Sequence, residues 1–239
     1  MPEDVQSGRE ADRASDRRIR LFSGPLSMFG AKVQIALHEK NVDFELVMVP
    51  FTVKEGYAPK HPEVLRINPK RQVPVLIDGG LEIFDSTQIF EYLEDIEPHP
   101  ALWPATPAAR AWSRRLEHES DEVYFPHIIK LMQLWKAPDD PAAEVARAGA
   151  AAYYRTMEAV LGDREFLGGE YSFADIAFYM AQLFGVRMGA DMTDEMPKLL
   201  QWRQRMTARP AVIKVVGPMA DYLRSQGLSV PAFLLQKTA

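Results

Sequence analysis

Apolar positions follow two different rhythms along this chain. In the first part, short strand-like runs alternate with helical spacings. Arg20-Leu-Phe-Ser23 reads as a short strand that Gly24-Pro25 ends. Phe29, Val33, Ile35, Ala36 and Leu37 then fit a helix from Ser27 to near Asn41. Phe44 to Val49 alternates like a strand, and Pro50 to Pro62 is a loop carrying charge, glycine and prolines. Glu63 to Ile67 has room for one helical turn, which Pro69 ends. Two short apolar runs, Val73 to Ile77 and Leu81 to Phe84, flank Gly79-Gly80 as in a β-hairpin. The hairpin feeds a helix over Ser86 to Asp95. The order β-α-β-(α)-β-β-α predicts a mixed four-stranded sheet with helices on its faces.

After the proline-rich stretch from Glu97 to Pro104, strand signals vanish and helix signals repeat. Thr106-Pro107 is an N-cap followed by proline at the first helical position, and Asp140-Pro141 repeats the device. Helices of roughly 20 to 30 residues are expected before and after that second signal, with a bend at Pro126. Ser172-Phe-Ala-Asp175 reads as a capping box, with Tyr171 and Ile176 placed as a hydrophobic staple. The helix it opens is apolar almost all round and is expected at the centre of its domain. A last helical region spans Glu195 to Leu223, interrupted at Pro210. The chain therefore divides into a tail at 1–19, an α/β domain at 20–97, a linker at 98–107 and an all-α domain at 108–239.

Composition narrows the choices. The 239 residues are 47% hydrophobic, enough for a real core, and the net charge of −5 does not suggest a nucleic-acid partner. No cysteine is present, which excludes disulfides, thiolate metal sites and any mechanism using a protein thiol. Residues 1–19 are charged, read as disordered, and contain no apolar segment of a secretory signal. The longest uncharged apolar stretch, Ile176 to Val186, is too short to span a bilayer. A cytoplasmic protein with no membrane partner is the expectation.

The candidate chemistry gathers around turns and helix starts. Pro74 removes a backbone donor and, if cis, turns the peptide groups of Gln72 and Val73 outward. Ser86 starts a helix whose free N–H groups can hold a carboxylate, and Asp85 beside it can hold an ammonium. Such a site suits a small peptide zwitterion. Ser27 lies after a strand and turn at another helix start, where its hydroxyl can stabilise an anion or serve as a plain cap; Ser23 is its rival. The five histidines have no metal-ligand spacing, so no metal is expected. Glu117, Glu119, Asp121 and Glu122 read as a solvated helix face. Trp112, Tyr124, Phe125, Tyr153 and Tyr154 read as core, although Tyr124 and nearby apolar residues could face an active site.

Taken together, these residues resemble the cytosolic glutathione S-transferases over nearly everything from residue 20 on. The N-terminal half is most like the phi class. Phe22-Ser-Gly-Pro25-Leu-Ser27, with Val33-Gln-Ile-Ala-Leu-His-Glu-Lys-Asn-Val-Asp-Phe-Glu-Leu-Val47, is similar to that class's catalytic turn and first helix. Asn68-Pro69, Gln72-Val73-Pro74 and Phe84-Asp85-Ser86 are similar to its glutathione-binding stretch. Ser172 to Asp175 matches the family's capping box, and Trp202 to Val212 resembles its late helices. The resemblance implies a thioredoxin-like N-terminal domain and an all-helical domain that forms the electrophile pocket.

It also implies roles. Ser27 would be the catalytic serine. Gln72 and Val73 would hold the cysteinyl backbone beside a cis Pro74. Asp85, shorter than the usual glutamate, and Ser86 would hold the γ-glutamyl end. Lys60 would meet the glycine carboxylate, and with Pro59 in place of a polar binder, His61 would assist there. Pro25, Phe29 and Tyr124 would line the electrophile pocket, which Met28 and Phe29 would narrow. The implied activity is transfer of glutathione, as co-substrate, to a small hydrophobic electrophile, or a related isomerisation, dehalogenation or peroxide reduction. The alternative is a ligand-binding or assembly module. A homodimer is implied, with Pro50-Phe51 as an apolar anchor across its interface.

Overall fold

The computed structural model describes residues 18–52, 54–57 and 60–235. The expected disordered tail falls, up to Arg17, outside the described residues, as does Pro59. The N-terminal part runs β1 (Ile19–Ser23), α1 (Met28–Glu39), β2 (Phe44–Met48), α2 (Pro62–Ile67), β3 (Val75–Asp78), β4 (Leu81–Phe84) and α3 (Ser86–Ile96). The sheet has the order β2-β1-β3-β4. β1 is parallel to β2, with Leu21 opposite Leu46. It is antiparallel to β3, with Leu21 opposite Leu76, and β3 pairs antiparallel with β4, with Leu76 opposite Ile83. This is the mixed four-stranded sheet expected from the sequence pattern.

Helix α1 determines where the site lies. Met28 and the residues from Gly30 to Leu37 are all buried, because α1 packs against α3 and against the helical half of the chain. The two polar positions in that run have dedicated partners. Gln34 donates from Nε2 to the Ser23 hydroxyl (2.9 Å). Lys32 pairs with Glu117 at 2.9 Å and Asp121 at 2.5 Å.

The helical part comprises α4 (Pro107–Glu119), a π-helical turn (Ser120–Tyr124), α5 (Phe125–Gln133), α6 (Pro141–Leu161), α7 (Phe173–Arg187), α8 (Pro197–Thr207) and α9 (Pro210–Ser225). Thr106 and Asp140 cap α4 and α6 as expected, accepting from the N–H groups of Ala109 and Ala142. A π-helical turn stands just before Pro126, where the i→i−4 ladder is broken. α7 is buried from Phe173 to Gly185 and forms the core of this half. Its capping box is complete, and Asp175 also accepts from Leu167 N–H (2.9 Å) and Trp202 Nε1 (2.9 Å). Among the described residues, no helix is long and apolar enough to cross a membrane.

One expectation needs correction here. Glu117 and Asp121 do not belong to a solvated face: Glu117 is buried, and both are drawn inward by the Lys32 ammonium of α1. Phe51 is half-buried and packs on two aromatic rings of its own chain. Its ring meets Tyr57 at 4.8 Å and Tyr222 at 6.4 Å, and its carbonyl accepts from the Tyr222 hydroxyl (2.7 Å).

Candidate active site

The turn between β1 and α1 carries the two rival serines, and their surroundings separate them. Ser23 is fully buried, and this burial, not its hydrogen bonding, sets it apart: its Oγ accepts from Gln34 Nε2 (2.9 Å), as the Ser27 Oγ accepts from a backbone N–H, and its carbonyl accepts from Val49 N–H (2.7 Å). Ser27 is the N-cap of α1. Its Oγ accepts from Gly30 N–H (3.0 Å), and the residue keeps 8% of its surface exposed. A hydroxyl has one proton to give and two lone pairs. With a lone pair on Gly30, the Ser27 proton remains available at the positive end of a helix. Leu26 and Phe29 on either side line a cleft of about 300 Å³.

Gly30 makes this turn possible. A Cβ there would stand 2.1 Å from the Ser23 Oγ and 3.0 Å from the Ser27 Oγ. Gly30→Ala gains about 1 kcal/mol of helix propensity but must displace both hydroxyls. A net loss of about 1–2 kcal/mol is expected from urea unfolding.

The opposite wall of the cleft is the loop before β3. Asn68 shapes it: its Nδ2 donates to the Gln72 carbonyl (2.6 Å), and its Oδ1 accepts from Lys70 N–H (2.9 Å). Gln72 and Val73 line the cleft, and the Val73–Pro74 bond is cis. Arg71, which also lines the cleft, has a left-handed backbone with φ 57°. Lys60 and His61 close one end. Lys60 is exposed, with Nζ 5.9 Å from the Tyr57 ring centre. His61 caps α2, its Nδ1 accepting from Glu63 N–H (3.2 Å), so in the neutral ring the proton lies on Nε2.

Asp85 and Ser86 stand at the start of α3. Asp85 is the N-cap, with φ 80° and its Oδ1 accepting from Thr87 N–H (3.1 Å); Lys70 lies 3.9 Å away. A non-glycine residue held at such a φ is a strained position of the kind concentrated at functional sites. Ser86 is buried directly behind it.

The electrophile side differs from expectation. Phe29 lines the cleft and meets Phe125 edge-on at 5.4 Å. Met28 is core rather than a pocket wall, 2% exposed. Tyr124 is also core: it is fully buried, bonded through its hydroxyl to Tyr154 and packed on Tyr153 and Phe178. Its neighbour Phe125 is core as expected, 4% exposed, and also borders the cleft, with Met132 and Phe184. Pro25 lines a different groove, with residues of β2 and α9.

Sequence reasoning also missed Tyr57. Its hydroxyl accepts from Leu26 N–H (3.3 Å) and ties the loop after β2 to the serine turn. Burial pushes this phenol well above its usual pKa. No periodic signal marks a lone tyrosine in a loop. Among the described residues, no three His, Asp or Glu side chains come together as a metal site.

Residues 21–101 match the glutathione S-transferase N-terminal domain, and residues 116–210 the glutathione S-transferase C-terminal domain. A probable glutathione S-transferase parC of Nicotiana tabacum is 32% identical over 79% of this chain and 84% of its own. A stringent starvation protein A homolog of Haemophilus ducreyi is 30% identical over 68% of this chain and 72% of its own. A solved glutathione transferase family member from Pseudomonas fluorescens, with two glutathione bound, has a TM-score of 0.71 at 26% identity. It covers 83% of this chain, which covers 92% of it. The chain belongs to the glutathione S-transferase family.

Proposed function

We propose that the chain is a glutathione transferase in which the Ser27 hydroxyl stabilises the glutathione thiolate for attack on a small hydrophobic electrophile. The observation that carries this reading is the free Ser27 proton at the N-terminus of α1, beside a cleft with apolar walls. In this reading the backbone of Val73, with Gln72 beside it, holds the cysteinyl unit next to cis Pro74. Asp85 takes the γ-glutamyl ammonium, and Ser86 with the α3 N–H groups takes its carboxylate. Lys60 and His61 take the glycine carboxylate. Phe29, Phe125 and Phe184 face the electrophile. The partners are glutathione and the electrophile, in a homodimer formed with a second copy.

A free thiol titrates near ~8.5, so only a few per cent is thiolate at neutral pH. One hydroxyl donor and a helix N-terminus that together lower this by roughly two units supply about 2.7 kcal/mol. The thiolate fraction at neutral pH then rises about tenfold or somewhat more, and the rest of the acceleration comes from holding thiolate and electrophile in contact.

Calorimetry with glutathione and turnover of an aryl halide test the assignment. Ser27→Ala is expected to lose conjugation at least about tenfold while keeping most of its glutathione affinity. Asp85→Ala is expected to lose the affinity itself. Unchanged turnover in Ser27→Ala removes the serine from the mechanism. Absence of glutathione binding by the wild type would favour the second reading, a binding or assembly module of the same fold, which the kinship with a stringent starvation protein A homolog supports.

A further inference from the structure

The cleft contains a hydrogen-bond donor that the binding of glutathione, as assigned above, does not use. Lys60, His61, Gln72 and Val73 have parts in holding the peptide, and Phe29 and Phe184 are apolar walls. Arg71 is exposed and adjoins Gln72 at the peptide end. That leaves the Tyr57 hydroxyl, which also lines the cleft. Its oxygen accepts from the N–H of Leu26 (3.3 Å), one residue before Ser27, and among the described residues nothing accepts its proton. A phenol oxygen that accepts one hydrogen bond still has its own proton to give.

The ring is held in a built position. A Cβ on Gly24 would stand 2.2 Å from Tyr57 Cε1 and 2.3 Å from its hydroxyl oxygen, so the turn between β1 and α1 is open where the phenol enters it. The Phe51 ring packs on Tyr57 at 4.8 Å. The Arg187 guanidinium, at the end of α7, lies over the Phe184 ring (4.8 Å) and acts through its charge on the Tyr57 phenol. The hydroxyl therefore stands on the Phe184 side of the cleft, where the electrophile is placed. Burial raises its pKa, although Leu26 N–H and Arg187 pull the other way, so the group stays a neutral donor at working pH rather than a base. A fixed donor in an apolar site is worth most where negative charge appears during the reaction.

We propose that Tyr57 is a catalytic residue that hydrogen-bonds the electrophile's own oxygen, and that the cleft favours α,β-unsaturated carbonyl compounds. The assignment rests on the transfer reaction proposed above. The glutathione sulfur bonds to the β-carbon, and the alkene π pair moves through the α-carbon onto the carbonyl oxygen. The Tyr57 O–H donates to that oxygen as it becomes an enolate, and keeps its proton. The α-carbon then takes one proton from water, replacing the one that the thiol released, so no further reactant is needed. An electrophile with a halide leaving group and no oxygen gains nothing from Tyr57.

The test compares benzylideneacetone, a conjugated enone, with benzyl chloride, on the full chain with saturating glutathione. Tyr57→Phe keeps the ring and removes the hydroxyl. It is expected to lower kcat/KM about a hundredfold for the enone and no more than about threefold for benzyl chloride. The ultraviolet absorbance of the bound glutathione thiolate should be unchanged, which shows the serine turn intact without the bond from Leu26. An equal loss on both electrophiles, or an unchanged enone rate, overturns the role of Tyr57 and leaves the transfer reaction standing. A wild type that turns over neither compound overturns both.

Discussion

Asp175→Ala is expected to lower the free energy of unfolding by about 3–5 kcal/mol, the range for deleting one member of a buried charged network. The carboxylate is fully buried at the start of α7. It accepts from Leu167 N–H at 2.9 Å, Ser172 N–H at 3.1 Å, the Ser172 hydroxyl at 3.3 Å and Trp202 Nε1 at 2.9 Å. Alanine would strand the two backbone donors and the indole in a dry interior, each at about 1–3 kcal/mol before relaxation. It would also remove the capping box of the helix at the centre of the domain.

Burial pushes the Asp175 carboxyl up to about 6, despite those donors pulling the other way. The folded state therefore holds this proton more tightly than the unfolded chain does. The contribution of this group to stability rises as pH falls through about 6 towards the ordinary aspartate range, and is constant above it. The gap between wild type and Asp175→Ala should widen between pH 7 and pH 4.5 in denaturant titrations. A gap under about 1 kcal/mol at pH 7 would mean that water replaces the carboxylate.

The features legible in the sequence are those set by neighbours in the chain. The caps at Thr106, Asp140 and Ser172 each need only three or four consecutive residues, and all three stand where the pattern put them. The hairpin around Gly79-Gly80 and the helix start at Asp85-Ser86 are local in the same sense. The burial of Glu117 and Asp121 was not legible, because their partner Lys32 lies 85 and 89 residues away. Nor was the choice between Tyr124 and Phe125. The π-helical turn that ends at Tyr124 adds a residue to the helical register, and each added residue rotates the face by about 100°. The sequence left Tyr124 and its apolar neighbours open as cleft residues, and the register set by this turn decides between them.

Lys32→Met is expected to cost about 3–5 kcal/mol and to weaken glutathione binding, and the two effects share one cause. Lys32 is fully buried and holds Glu117 and Asp121 together between α1, α4 and the π-helical turn. Burial alone would lower the pKa of its ammonium, but Asp121 and Glu117 more than offset that, so the charge stays on. Burial raises the Asp121 carboxyl, and Lys32 is the chief force holding it down. Without Lys32 two carboxylates would face each other with no cation, and Asp121 would take up a proton near neutrality. Glu117 also accepts from the Thr87 hydroxyl (2.9 Å), in the first turn of the helix that presents Asp85 and Ser86. Repulsion within the cluster is thus transmitted to the proposed γ-glutamyl site. Lys32→Met combined with Glu117→Gln and Asp121→Asn should recover part of the stability, because no charge is then left unpaired. If the triple variant is as unstable as the single one, packing of the lysine stem against Phe29 and Phe90, over which its ammonium lies at 5.4 and 5.2 Å, sets the cost instead.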